Sequence, residues 1–149
     1  MTQRDEGIVL RAITDDEVET AVSVWLESGL PIKSKGRDTL ENLRSLRDAD
    51  PELFIGAFDG DRMVGVVLGT DDRRKGYINR LAVLPEKRRT GVAKMLVARC
   101  EDTFRARGRQ VICTMIEEYN DTSKSLFLCI GYKREDDIVY YTKREADDV

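Results

Sequence analysis

Residues 81–96 constrain the fold more than any other stretch, because they combine the end of a strand, a turn and the start of a helix. The apolar run ends at Pro85, which has no N–H to donate to a sheet ladder. Apolar residues then recur at helical spacing, at Val92, Met95, Leu96, Cys100 and Phe104. A strand that leads into a helix, in a chain with further segments of both kinds, predicts an α/β layer architecture.

The first turn of this helix carries small side chains and lies among cations. The first four amides of a helix lack partners and together carry about half a positive charge. Gly91 and Ala93 would let an anion reach these amides, and Arg88, Arg89 and Lys94 add full charges. The pattern indicates a pyrophosphate site. It equally fits a helix that packs closely on its neighbour and is flanked by solvated cations, so the spacing alone leaves both interpretations open.

Two motifs together resemble a known family. The chain has neither the G-x-x-x-x-G-K-[ST] nor the G-x-G-x-x-G spacing of nucleotide sites. Residues 88–93 instead resemble the Q/R-x-x-G-x-G/A acyl-CoA signature of the GNAT superfamily of N-acetyltransferases, after an L-A-V-x-P strand. Residues 120–132 resemble the later N-x-x-A/S-x-x-L-Y-x-x-x-G-F/Y helix of that family. The resemblance spans nearly the whole chain, whose layout is similar to that of YpeA-like small bacterial acetyltransferases.

Length, composition and net charge limit the kind of protein that the chain can be. A chain of 149 residues is expected to form one domain, residues 1–149, large enough to bury a core. The 41% apolar and 36% charged residues are typical of a globular chain. A net charge of −3 gives no support to a nucleic-acid partner. No apolar run approaches the length of a membrane span, and the first residues lack a signal-peptide pattern, so we expect no membrane partner and a cytoplasmic location.

The chain contains no histidine, which excludes Ser-His-Asp and Cys-His catalysis and histidine-ligated metals. Its three cysteines, Cys100, Cys113 and Cys129, are widely spaced within apolar segments. We therefore expect reduced core cysteines and no metal site.

The patterns predict the element order β-α-α-β-β-β-α-β-α-β-β. Strands are expected at 8–13, 53–58, 63–68, 77–84 and 110–116, the last of them buried, with a final hairpin from 132–134 and 138–143. Capping boxes at Thr14 and Asp38 begin the first two helices, and later helices run from Gly91 to Gly108 and from Asn120 to Gly131. Residues 28–37 are expected to form a loop or a partly ordered lid.

The resemblance implies a fold and a cofactor. It implies a central, mostly antiparallel mixed sheet with one splayed parallel pair, flanked by helices, and acetyl-CoA lying with its pantetheine arm in the V between the splayed strands. Main-chain contacts would come from the strand, whose side chains also suit a plain core, and phosphate contacts from the turn. The implied cofactor-binding residues are Leu81, Ala82, Val83, Arg88, Arg89, Thr90, Gly91, Val92, Ala93, Lys94, Asn120, Lys124 and Phe127.

Acetyl transfer to an amine requires a base, a site for the oxyanion and a route for the thiolate to leave. Family members often protonate the thiolate with a tyrosine of the second motif, but that position here is Phe127, which has no proton to donate. The remaining options are unassisted departure, a water, or the hydroxyl of Tyr119 or Tyr132. A backbone amide near Val83 would serve the oxyanion.

A carboxylate base is also missing from the strand before the turn, because residues 77–80 include neither Asp nor Glu. At pH 7 only about one alkyl amine in a thousand is unprotonated. The candidates are Glu117 or Glu118, which follow the strand at 110–116, and a water aligned by Asn79. Each is also typical of a solvated strand end or an ordinary strand hydrogen bond, so the catalytic candidates Glu117, Asn79 and Tyr119 remain hypotheses.

The acceptor is predicted to be a small-molecule or peptide amine, with Trp25, Lys33 and Tyr77 as candidate contacts. Lys33, Lys35 and Arg37 would suit an acidic group on the acceptor, although a solvated loop explains them more simply. Two alternatives stand beside the enzyme. One is a non-catalytic acyl-CoA-binding module, motivated by Phe127 and the missing carboxylate, and the other is a protein acetyltransferase that docks a partner through residues 28–37. A homodimer is left open.

Overall fold

The computed structural model describes residues 7–149, and a five-stranded sheet in the order β1–β2–β3–β4–β5 lies at its centre. The first four strands are antiparallel to their neighbours, and β5 runs parallel to β4. This confirms the predicted α/β fold with a mostly antiparallel mixed sheet. The strands are β1 Ile8–Ala12, β2 Phe54–Asp59, β3 Arg62–Asp71, β4 Gly76–Val83 and β5 Ile112–Thr114.

Four helices flank the sheet: α1 Val18–Glu27, α2 Leu40–Ala49, α3 Val92–Ala106 and α4 Asp121–Cys129. Helix α3 covers the face on which Gly65 and Gly76 lie, because a Cβ at either glycine would meet side chains of that helix. A Cβ at Gly76 would lie only 2.5 Å from the Phe104 ring. A glycine at the start of β4 therefore lets α3 lie close to the sheet. Within residues 7–149, none of the helices has the length and apolarity needed to cross a bilayer.

The first predicted capping box is confirmed. The Thr14 N–H donates to the Glu17 carboxylate at 2.9 Å, and a single 3₁₀ turn, Asp15–Glu17, leads into α1. The second predicted box, which would begin at Asp38, is wrong. The N-cap of α2 is Thr39, whose hydroxyl accepts the Asn42 N–H at 3.2 Å, and not Asp38. Asp38 is instead buried and bonded elsewhere in the fold.

The C-terminal part of the chain departs from the predicted order. The strand expected at 110–116 is reduced to the three residues of β5, which are half-buried. The final hairpin is wrong, because residues 132–134 and 138–143 form no strand. The run from Ile138 to Tyr141 has strand-forming residues, but its side chains are exposed and no neighbouring strand pairs with it. Strand-forming residues adopt a strand only where a neighbouring strand completes the hydrogen-bond ladder.

The cysteines are free, as expected, but they do not share one environment. Cys100 is buried, and its burial raises the pKa of its thiol to about 12, which keeps it protonated. Cys113 on β5 is half-buried and Cys129 is exposed. The expectation of three core cysteines is therefore correct for Cys100 alone.

Candidate active site

Strands β4 and β5 pair at one end only. Their ladder joins Gly76 to Ile112, Tyr77 to Cys113 and Ile78 to Thr114. Beyond Ile78, β4 continues to Val83 while remaining paired with β3 on its other side. Among the described residues, the outer edge of β4 from Asn79 to Val83 thus has no strand beside it, so alternate main-chain groups there are free to bind a ligand.

At the apolar end of this segment, from Leu81 to Val83, a ligand would find little besides main chain. Ala82 and Val83 are buried and Leu81 is half-buried against the core. Val92, in the first turn of α3, is also buried. Any contact from these residues to a ligand in the open edge would therefore come mainly from N–H and C=O groups.

We call the gap beside this unpaired edge the V: its closed end is at Ile78, where the ladder with β5 stops, and its open end is at Val83. Helix α3 follows the open end through the 3₁₀ turn Pro85–Lys87 and residues 88–91. Its N-cap is Gly91, with φ 92° and ψ 0°, and no side chain caps it. The first helical hydrogen bond runs from the Met95 N–H to the Gly91 carbonyl at 3.0 Å, so the amides of Gly91 through Lys94 have no partner within the helix. A Cβ at Gly91 would meet nothing within 4 Å, which means that the space beside these amides is open.

The turn before the helix is tightly shaped. The Thr90 hydroxyl donates to the Lys87 carbonyl at 2.5 Å. Arg89 adopts φ 63°, a left-handed conformation that costs a non-glycine residue about 1–2 kcal/mol. Strain of this kind concentrates at functional sites, where neighbouring structure holds it in place.

Three cations surround the turn, but they are held differently. Arg88 Nη2 donates to the carbonyl of Ser28 at 2.9 Å, and Ser28 is the C-cap of α1. Arg89 and Lys94 are exposed. A guanidinium bonded to a neutral carbonyl keeps its charge, so all three contribute positive potential beside the amides. Arg88 additionally connects the turn to the end of α1.

The closed end of the V coincides with a β-bulge. The β3–β4 register changes from Leu68 opposite Arg80 to Gly69 opposite Ile78, which makes Asn79 the extra residue. Its side-chain amide donates to the Thr70 hydroxyl at 2.7 Å. Bulges redirect side chains and occur often beside active sites.

The remaining predicted polar residues lie on β4 and in the segment after β5. The Tyr77 hydroxyl lies 3.5 Å from an Asp72 carboxylate oxygen, a long hydrogen bond. Beyond β5, Glu117 and Tyr119 are exposed, and the Glu117 carbonyl accepts the Asn120 N–H at 2.9 Å.

A sequence profile described as the Acetyltransferase (GNAT) family matches residues 10–132. The chain belongs to that family. An acetyltransferase of Photorhabdus laumondii is 30% identical to it over 138 residues, which cover 91% of this chain and 94% of the relative. The profile match extends over both motifs and over strands β4 and β5.

Solved structures share the fold of this acetyltransferase. The PaiA N-acetyltransferase of Thermoplasma acidophilum, in complex with coenzyme A, superposes with a TM-score of 0.77 at 21% identity and covers 87% of this chain and 91% of its own. The aminoglycoside N-acetyltransferase AAC(6')-Iy, in complex with coenzyme A, has a TM-score of 0.73 at 15% identity and covers 97% of this chain and 99% of its own.

The second motif of the acetyltransferase forms the turn and helix expected of it, but its polar residues are already bonded. Asn120 is the N-cap of α4, where its side-chain oxygen accepts the Ser123 N–H at 3.1 Å. Lys124 Nζ lies 3.1 Å from Glu118 and 3.7 Å from Asp121. The hydrogen bond from Lys124 lowers the pKa of the Glu118 carboxyl, so Glu118 is a paired carboxylate and a weak candidate for the base.

Phe127 and Tyr132 form an aromatic pair. Phe127 is buried, and the two rings pack edge to face with centroids 4.9 Å apart. The Tyr132 hydroxyl donates to Glu101 on α3 at 2.9 Å, and burial together with this bond raises the pKa of the phenol. Because the Tyr132 hydroxyl already donates its hydrogen bond to Glu101, Tyr132 is a poor proton donor for the thiolate. Tyr119 remains the hydroxyl candidate.

Two of the residues expected to contact the acceptor are engaged with other parts of the protein. Trp25 is fully buried and stacks on Phe54, so the expectation that it touches the acceptor is corrected to a core role. Lys33 Nζ donates to the Asp147 carbonyl at 3.3 Å, which joins residues 28–37 to the C-terminal segment.

Sequence reasoning missed one pair near the bulge. Arg80 of β4 bonds to Asp38, and both side chains are almost inaccessible, with exposures of 15% and 7%. The available signal was an arginine in the middle of a strand whose following residues, 81–83, are apolar. The local capping pattern around Asp38 concealed its partner, which lies far along the chain.

Proposed function

We propose that this chain transfers the acetyl group of acetyl-CoA to a primary amine of a small molecule, amino acid or peptide, by direct attack within a ternary complex. The observation that supports it best is the unpaired edge of β4, which leads from the bulge at Asn79 to the free amides at Gly91. Coenzyme A combines a long arm of amides with a diphosphate, and each part meets a matching surface here.

The dimensions favour this ligand. From Ile78 to Val83 the strand extends about 17 Å, at roughly 3.3 Å per residue. An extended pantetheine arm of comparable length would pair with the free main chain of β4. Its diphosphate would then lie on the amides of Gly91 through Lys94, with Arg88, Arg89 and Lys94 around it. Thr90 and Ala93 complete the same turn.

This placement brings the thioester to the closed end of the V. The amine would be held beside Asn79 and Tyr77, and its proton would leave through a water aligned by Asn79 or through Glu117. A free amide on the edge of β4 would stabilise the oxyanion. Positioning supplies much of the acceleration, because a held amine beside a thioester gains several kcal/mol from proximity.

In this proposal no free phenol of the second motif serves the departing thiolate. Phe127 offers no proton, and the Tyr132 proton is bonded to Glu101. In this proposal the thiolate leaves unassisted or takes a proton from water or from Tyr119. The same feature favours a second candidate, a non-catalytic acyl-CoA-binding module.

Release of free thiol separates the two functions. Purified protein is supplied with acetyl-CoA and, in turn, spermidine, kanamycin and a peptide with a free N-terminal alanine. An acetyltransferase releases coenzyme A thiol in proportion to acetylated amine in at least one case. Micromolar binding of coenzyme A with no thiol release from any acceptor would favour the binding module.

Two glycine variants test the cofactor site itself. Gly91→Leu would place a side chain over the free amides, and we expect the Kd for coenzyme A to rise more than tenfold. Gly108→Leu is the matched control, since Gly108 also has a positive φ, of 81°, and open space around it, but lies past the other end of α3. Equal affinities in the two variants would place the diphosphate elsewhere.

A further inference from the structure

Asp38 is the one buried charged or polar residue within residues 7–149. It lies near the end of the α1–α2 loop, residues 28–39. One of its carboxylate oxygens, Oδ2, accepts two hydrogen bonds of 2.7 Å each, from the Lys33 N–H of the same loop and from Arg80 Nη2 of β4. A single oxygen thus joins the loop backbone to a central strand.

Arg80 holds the loop at a second point. Its Nη1 donates to the carbonyl of Pro31, and its guanidinium carbon lies 5.4 Å from the centre of the Trp25 ring on α1. The planar fork of an arginine reaches both acceptors while stacking on an aromatic face. A lysine ammonium carries the charge but not this geometry.

The position of Arg80 along β4 connects this contact to the proposed site. Arg80 follows Asn79, the bulge residue, and lies two residues beyond Ile78, where the ladder with β5 ends. The loop that Arg80 holds is therefore fixed next to the closed end of the V. Arg88 holds the other end of the same loop through the Ser28 carbonyl.

We propose that Arg80 is a positioning residue for the amine acceptor: it fixes the α1–α2 loop as a wall of the acceptor site. This inference rests on the proposed acetyltransferase function. A buried ion pair is weak evidence for a stabilising role, because desolvation offsets much of its attraction. Its value here is geometric, since it fixes a loop relative to the bulge. Acetyl-CoA would pair with main-chain groups on the unpaired edge of β4, whereas the Arg80 side chain bonds to Pro31 and Asp38, so we expect cofactor binding not to depend on the tether.

Steady-state kinetics of Arg80→Gln, Arg80→Lys and Asp38→Asn test the proposal, with acetyl-CoA and whichever of spermidine, kanamycin and the alanine peptide gives the fastest turnover. We expect the acceptor KM to rise at least tenfold in Arg80→Gln and Asp38→Asn, and less in Arg80→Lys. The KM for acetyl-CoA should change less than twofold. Arg107→Gln is the control, because Arg107 forms a half-buried ion pair with Asp50. Arg107 is the C-cap of α3, at the end of that helix opposite to the proposed diphosphate site. Arg107→Gln should leave both KM values unchanged.

Hydrogen exchange gives a readout that does not require turnover. Loss of the tether in Arg80→Gln should speed exchange of the Lys33 amide more than tenfold, with amides of α3 unaffected. Trp25, the only tryptophan of the chain, should report the same change in its fluorescence. If Arg80→Gln fails to fold, Asp38→Asn provides the same comparison.

The outcomes separate the two proposals. Equal rises in both KM values, no rise in the acceptor KM, or unchanged exchange at Lys33 would each overturn the positioning role. If the wild-type protein transfers acetyl to no acceptor, the proposed function fails instead, and unchanged exchange at Lys33 would then show that the tether is also wrong.

Discussion

The Thr114 hydroxyl donates to the carbonyl of Ile78 at 3.0 Å, across the last paired residues of β4 and β5. Immediately beyond this bond the ladder ends, because β5 stops at Thr114. A side chain of β5 thus occupies an acceptor on β4 at the point where the ladder stops, which defines how far the V extends. The depth of the proposed arm site depends on this contact.

Thr114→Val removes the hydroxyl and keeps the shape of the side chain. We expect the free energy of unfolding to fall by about 1–2 kcal/mol, because a half-buried carbonyl loses a hydrogen bond. The KM for acetyl-CoA should rise several-fold as the end of the V loosens. Urea unfolding and steady-state kinetics measure both effects.

The control for this variant is Thr103→Val on α3. The Thr103 hydroxyl donates to the Arg99 carbonyl at 3.2 Å, within the helix. Its loss should cost less than about 0.5 kcal/mol and leave the KM unchanged, because that carbonyl also lies in the helical ladder. Equal effects of the two substitutions would contradict a special role for Thr114.

Phe127→Tyr tests whether a phenol at this position assists the reaction. We expect kcat to be equal to or higher than that of the wild type, because the new hydroxyl supplies a proton donor from the second motif. Burial of an unpaired hydroxyl would cost about 1–3 kcal/mol, so the free energy of unfolding should be measured beside kcat. Phe127→Leu, which adds no hydroxyl, should not raise kcat. A large loss of kcat in a folded Phe127→Tyr would show instead that the Phe127 ring shapes the site.

Arg89 combines a positive charge with a strained backbone, and the effects of the two can be measured separately in Arg89→Gly. Arg89→Gly relieves a left-handed non-glycine residue, so we expect the free energy of unfolding to stay the same or rise by up to about 1 kcal/mol. Coenzyme A binding should weaken several-fold, more at low salt, because one cation is lost beside the diphosphate. Isothermal titration at two salt concentrations measures this.

Arg73→Gly is the matched control for that variant, since Arg73 has φ 69° in the β3–β4 turn, which precedes β4, whereas the proposed diphosphate site follows it. It should give the same gain in stability with no change in Kd. If both variants weaken binding equally, Arg89 contributes no charge to the diphosphate site.

Local rules succeeded where neighbouring residues determine the structure. The Thr14–Glu17 box and the helix from Val92 both depend on contacts within a few residues. They failed at Asp38, whose side chain serves Arg80 on β4 while Thr39 takes the cap. No local pattern encodes a partner 42 residues away.

In the proposed site, too, local patterns predicted the structure and long-range partners escaped them. The turn from Arg88 to Ala93 was predictable, because its glycine and cations report a helix start directly. The side-chain partners of Arg88 and Tyr132 were not, since Ser28 and Glu101 lie on other elements. Burial of Trp25 was likewise decided by its packing on Phe54 rather than by its place beside a cationic loop.

Stability at acid pH should depend on Asp71 at the end of β3. Arg109 Nε donates to Asp71 Oδ1 at 2.6 Å, and Arg107 Nη1 lies 3.2 Å from Oδ2. The Arg109 bond lowers the pKa of the Asp71 carboxyl from 3.8 to about 2, although burial opposes the shift. Because the folded pKa is below the unfolded one, this stabilisation is fully present above about pH 4 and is lost as the pH falls through about 2.

Urea unfolding between pH 2 and pH 6 measures this contribution. We expect the wild type to lose about 1–2 kcal/mol through Asp71 over that interval, after allowance for solvent screening, and Asp71→Asn to lose correspondingly less. Asp71→Asn should also be less stable than the wild type at pH 6, because Arg109 then lacks its carboxylate. Asp61→Asn in the exposed β2–β3 turn is the control and should keep the wild-type slope. The same slope in Asp71→Asn would show that other carboxylates, such as Glu17, account for the acid sensitivity.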